Sequence, residues 1–215
     1  MDAAGYLDRW LAGPRSSGVE VKAVLGYCVG AVYAAEAAGR IARWQPEPPA
    51  LVLLDPEPAV QLSLYSQFHN VLNLMGTLVP AERIAVAHQA GRLAHDGSGD
   101  MDTLAAELIK IFEGLSTEAL SQAGLDEISR RELTGTFVAF MTYLTMAGRF
   151  DPFPAWREAT ALSSSSPGNG LNAIRAYSQG AVGPLVAKEL RFATDHIDLL
   201  RSPDVAAAVS DLLNG

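Results

Sequence analysis

The sequence predicts an α/β fold, a mostly parallel sheet with flanking helices and a long helical insertion in mid-chain. Three observations lead there. Apolar runs stand at Val21 to Leu25 and at Ala50 to Leu54, the latter unbroken, as expected of a strand buried on both faces of a parallel sheet. Each run ends at a turn carrying a chemically distinctive residue, Cys28 after the first and Asp55 after the second. Helical patterns occupy the intervals, as the crossovers between parallel strands require.

Taken in order, Ala3 to Leu11 reads as an amphipathic helix with Tyr6, Leu7, Trp10 and Leu11 clustered, followed by a loop from Gly13 to Gly18. A first strand is expected near Val19 to Tyr27. It runs into Gly26-Tyr27-Cys28-Val29-Gly30, a nucleophile elbow with cysteine in the nucleophile's place. In such a sharp strand-to-helix turn the nucleophile is strained, and side chains two residues either side collide with the helix or the neighbouring strand; hence the glycines. At the head of the next helix, roughly Val29 to Arg43, the sulfur would feel unpaired N–H groups and the helix dipole, which favour thiolate and fast alkylation.

The second strand, Ala50 to Leu54, is continuously apolar and stops at Asp55-Pro56-Glu57-Pro58. Asp55 follows Cys28 by 27 positions, room for one helix, a Pro-rich turn and one strand, so the two strand ends come out side by side. A carboxylate there can orient a histidine, or serve as a helix cap or turn residue. Helices are expected at Gln61 to Met75, Pro80 to Ala94, Met101 to Gly114 and Asp126 to Gly148. Phe137, Phe140, Met141, Tyr143 and Met146 suit a helix core, and equally the lining of a substrate channel. A short strand is expected at Ala159 to Ser164, a turn at Pro167 to Gly170 and a last strand at Lys188 to Ala193. Nothing in the spacing of Ser163 to Ser166 indicates catalysis. His196 falls between this strand and a closing helix that begins at Ser202-Pro203 and carries Val205, Val209, Leu212 and Leu213 on one stripe. His69, His88 and His95 lie in or at the ends of helical segments, so His196 is the candidate base.

Nucleophile, Asp and His, in that order and each at a strand's end, resemble the α/β-hydrolase fold. The words G-Y-C-V-G-A, A-L-V-L-L-D-P-E-P, R-F-D-P-F-P-A-W and A-T-D-H-I-D-L-L-R-S-P-D-V resemble the thioesterases that release acyl chains from nonribosomal peptide and polyketide synthases. That family carries its Asp just after the strand following the nucleophile helix, where Asp55 stands. The resemblance implies one α/β-hydrolase-like domain over 1–215 with a helical lid insertion at about 60–148. It also implies a Cys28-His196-Asp55 triad, an oxyanion-hole N–H from Val29, and a carrier protein with a phosphopantetheine-bound acyl group as partner.

Two departures modify the expectation. Most of these thioesterases use serine; Cys28 would instead form another thioester and keep the acyl group's transfer potential for a second acceptor. Only 27 residues precede Cys28, so the family's opening strands, and the second oxyanion donor they carry, are expected to be missing: another chain or a rearranged loop replaces them, or the sequence is truncated, or the active site is weakened.

Composition bounds the rest. The 215 residues are 49% apolar, enough for one substantial core. With 16 basic and 24 acidic residues the net charge is −8, which argues against nucleic acid as a partner. No apolar run is long enough to span a membrane and no signal-peptide pattern opens the chain, so a cytoplasmic location is expected. A single cysteine and the lack of H-x-x-x-H spacing lead to an expectation of no metal and no cofactor. Three function classes remain open: a hydrolytic thioesterase, an acyl or aminoacyl shuttle between carriers, and a degenerate member that binds a carrier protein or synthase without turnover.

Overall fold

The computed structural model describes residues 3–122, 124, 126–178 and 183–214, without the side chains of 118–122. The chain divides into two compact units, Met1–Pro58 with Arg149–Gly215, and Ala59–Gly148.

The first unit holds a helix α1 (Ala3–Ser17), strand β1 (Ala23–Tyr27), α2 (Gly30–Ile41) and β2 (Ala50–Leu54). The described residues of the second form helices: α3 (Gln61–Leu74) with a 3-10 turn at Met75–Thr77, α4 (Ala81–Gly97), α5 (Met101–Gln122) and α6 (Glu127–Ala147). Leu64, Phe68, Leu72, Leu104, Leu108 and Met141 are fully buried and form its interior. Returning to the first unit, the chain adds α7 (Phe153–Trp156), β3 (Thr160–Ser163), α8 (Gly170–Tyr177), β4 (Lys188–Arg191), a 3-10 helix at His196–Arg201 and α9 (Pro203–Asn214).

Among the described residues, four strands form one parallel sheet in the order β1-β2-β3-β4. The pleat sends alternate residues to opposite faces. Tyr27, Val52, Leu54, Leu162 and Leu190 meet Leu199, Val205, Ala208, Val209 and Leu212 on one face, so α9 and the 3-10 helix seal that side. The other face takes α2, whose alanines allow a close approach. A Cβ on Gly26 would lie 2.5 Å from the Ala31 Cα and 2.6 Å from the Ala34 Cβ, which is the steric reason for the elbow glycine. Gly26→Ala is therefore expected to cost about 1–3 kcal/mol, the range for overpacking, read as a fall in the thermal midpoint; an unchanged midpoint would mean α2 moves away freely.

Several boundaries differ from the sequence expectations. β1 starts at Ala23, not near Val19, because the Gln45 side chain occupies Val21: its amide accepts from Val21 N (3.0 Å) and donates to Val21 O (2.9 Å) in place of a neighbouring strand. α1 continues through the expected loop, Pro14 included, with Ser16 and Ser17 hydroxyls donating to the Gly13 and Pro14 carbonyls before Gly18, at φ +67°, ends it. β3 and β4 are shorter than expected, although Phe192 N still donates to Ser163 O. α8 was hidden behind the turn read at Pro167 to Gly170; its buried face is Leu171 and Ala173.

Candidate active site

Every site residue singled out in the sequence stands at the carboxyl end of the sheet, where open parallel sheets place their ligands. Cys28 follows β1 directly and has φ +53°; Asp55 follows β2 directly and has φ +43°. Left-handed backbone at a non-glycine residue costs of order 1–3 kcal/mol and persists only where the surroundings impose it. Here they do. Cys28 N donates to Leu54 O (2.9 Å), Asp55 N to Leu162 O (2.9 Å) and Glu57 N to Cys28 O (3.2 Å), so each strand end is pinned to the next. Gly170, at φ +57°, allows this crowding, since a Cβ there would lie 2.8 Å from Asp55 Oδ1.

Asp55 is fully buried. One carboxylate oxygen accepts from Ser164 N (2.8 Å), the other is 2.9 Å from His196 Nδ1. Burial pushes its carboxyl up, but the hydrogen bonds from His196 and Ser164 outweigh this and hold it below its ordinary value. An ionised carboxylate only accepts, so His196 carries its proton on Nδ1 and leaves Nε2 with a bare lone pair. The ring is fixed from three more directions: it stacks on Tyr27 (centroids 4.9 Å apart, 18° between planes), its backbone N donates to Ser166 Oγ (2.9 Å), and Tyr27 Oη donates to its carbonyl (2.9 Å). It sits at the first position of a 3-10 helix, not in the loop expected from the sequence.

The Cys28 sulfur, a Glu57 carboxylate oxygen and a His196 ring nitrogen all lie within 4.8 Å of one another. The Val29 N–H, expected in an oxyanion hole, is hydrogen-bonded to the Cys28 sulfur and favours its thiolate. It is outweighed. Burial and the neighbouring Glu57 carboxylate, which accepts a hydrogen bond from the thiol, push Cys28 up to about 12. The expectation of a thiolate poised by the helix N-terminus is thus opposed: burial first and the neighbouring Glu57 second push the Cys28 thiol up, and the Val29 N–H at the helix end does not offset them.

Glu57 is the residue that sequence reasoning passed over. Its carboxylate accepts from Asn169 Nδ2 (3.0 Å) and Gly170 N (3.0 Å), capping α8 while standing beside the sulfur. The signal was in D-P-E-P, two positions beyond Asp55. The serines were also undervalued: Ser164 and Ser166 position Asp55 and His196 through main-chain and hydroxyl bonds, and Asn172 donates to both their carbonyls. Beneath them Ser163 Oγ donates to Glu189 (2.7 Å), which Arg175 grips with two hydrogen bonds. Burial would raise the Glu189 carboxyl, but Arg175, Ser163 and Arg191 together hold it below its usual value.

Fold and site together define an α/β protein, a four-stranded parallel sheet with a cysteine, a histidine and two carboxylates gathered at its carboxyl edge. No protein-family model matches the chain, and no curated protein matches it. Among the described residues no helix is long and apolar enough to cross a membrane.

Proposed function

We propose that this protein is a thioesterase-like acyl-transfer enzyme of the α/β-hydrolase type, taking an acyl or aminoacyl group from a carrier-protein thioester onto Cys28 and then releasing or transferring it. The observation that carries the reading is the left-handed Cys28 at the end of β1, with His196 beside it and buried Asp55 behind the ring. In the reaction the Cys28 S–H proton passes to His196 Nε2 as the sulfur attacks the thioester carbonyl; Asp55 steadies the imidazolium and Val29 N–H stabilises the developing oxyanion. Collapse of the tetrahedral intermediate expels the pantetheine thiolate, which takes the proton from His196. Water, an amine or a second carrier thiol then attacks acyl-Cys28.

The helical segment Ala59–Gly148 enters the chain between β2 and β3, the position a lid insertion would take. Cytoplasmic carrier proteins are the partners this chemistry requires.

The decisive experiment is intact-mass measurement after mixing the protein with acyl and aminoacyl pantetheine thioesters. One covalent adduct is expected, absent in Cys28→Ala. Its rapid loss in buffer marks a hydrolase, its persistence until an acceptor is added a shuttle. Burial and the Glu57 carboxylate, which push the Cys28 thiol up, favour a second reading in which the protein binds a carrier without turnover. That reading predicts no adduct with any member of the panel.

A further inference from the structure

We propose that Cys28, Glu57 and His196 form a three-ligand site for a thiophilic divalent cation, Zn²⁺ foremost, which takes the nucleophile's sulfur as one of its ligands. Sulfur, carboxylate oxygen and ring nitrogen lie within 4.8 Å of one another and are partly accessible. Tetrahedral zinc, with bonds of about 2.0–2.3 Å, separates its ligand atoms by roughly 3.3–3.8 Å. Closing the triangle therefore shortens its sides by at most about 1.5 Å, within reach of side-chain adjustment.

The donor set selects the ion. Thiolate, imidazole and carboxylate together suit Zn²⁺, whereas Mg²⁺ and Ca²⁺ demand oxygen ligands throughout. Two negative ligands balance the cation's charge. The outer shell is also present: His196 Nδ1 is held by Asp55 at 2.9 Å, leaving the second ring nitrogen for the metal, the carboxylate–histidine arrangement that orients zinc-binding imidazoles. Glu57 is steadied in turn by Asn169 and Gly170. Three protein ligands leave a fourth position for water.

Binding involves no redox change: the Cys28 S–H bond breaks, a metal–sulfur bond forms and one proton goes to the buffer. With the sulfur committed to the cation acyl-Cys28 cannot form, so the metal-bound protein is an off state. Only that consequence rests on the acyl-transfer reading; binding itself does not.

The test is titration of the full chain with Co²⁺ as spectroscopic probe. A sulfur-to-cobalt charge-transfer band is expected to saturate at one equivalent, to be displaced by Zn²⁺ and to be absent in Cys28→Ser. Asp55→Asn should weaken Co²⁺ binding about 10–100-fold through the outer shell, and Glu57→Gln and His196→Ala, which each remove a direct ligand, should weaken it by at least as much. Zn²⁺ should also shield Cys28 from iodoacetamide. His69 and His88 offer only nitrogen, so metal held there produces no such band. Absence of the band in folded protein, or a band equally strong in both Glu57→Gln and His196→Ala, overturns the proposal.

Discussion

Asp55→Asn is expected to leave a folded protein in which acyl-Cys28 forms roughly 10⁴-fold more slowly, the loss seen when a triad carboxylate becomes an amide. Asparagine's oxygen can still accept from Ser164 N, which lies 2.8 Å from Asp55 Oδ1. Its NH₂ group would then face His196 Nδ1 and could only donate there, forcing the ring proton onto Nε2. A histidine protonated at Nε2 cannot take the thiol proton. Stability should fall by about 1.5–3 kcal/mol, the contribution of a hydrogen bond to a charged group. The check is the time course of the mass adduct beside a thermal melt. A variant within tenfold of the parent rate would remove Asp55 as the residue that positions His196.

Glu57→Gln is expected to act in the opposite direction on the thiol. Burial and Glu57 hold the Cys28 thiol up to about 12. The parent protein should therefore alkylate more slowly at neutral pH than an ordinary cysteine. Because the folded value lies above the free one, its alkylation rate should keep climbing between pH 8 and pH 12, where a free thiol of pKa about 8.5 levels off. Removing the carboxylate charge lowers the thiol's value, and each unit of lowering multiplies the thiolate fraction at neutral pH by about ten. A rise of at least about tenfold in the iodoacetamide rate at pH 7 is expected. An unchanged rate would mean that burial alone controls the sulfur.

How much of this was legible depended on whether the signal was local. The strand-to-helix turn was readable because glycine at position 26 answers a short-range demand, the closeness of Ala31 and Ala34 in the helix that follows within eight residues. Ala50 to Leu54 was readable for a similar reason, since a strand buried on both faces writes itself as an unbroken apolar run. The start of β1 was not, because Gln45, 24 residues away, replaces a strand partner at Val21. Glu57 was not either: beside Asp55 and two prolines it reads as a turn residue, and only the arrival of Asn169 and Gly170 shows what it holds.

The sequence by itself determined the α/β class, the parallel strands, the helical middle and the ordered positions of Cys28, Asp55 and His196, because periodicity and turn chemistry are properties of neighbouring residues. Tertiary structure decided the direction in which the Cys28 thiol is shifted. A helix N-terminus pulls toward thiolate and is visible in the order of residues, whereas burial and the charge of Glu57 push toward thiol and exist only once the strand ends have converged. It likewise decided that the Cys28 sulfur, a Glu57 carboxylate oxygen and a His196 ring nitrogen come within 4.8 Å of one another, a meeting that spacing along the chain does not show. Electrostatic energy depends on distance through space and on exclusion of water, and neither is written in the interval between two residues along the chain.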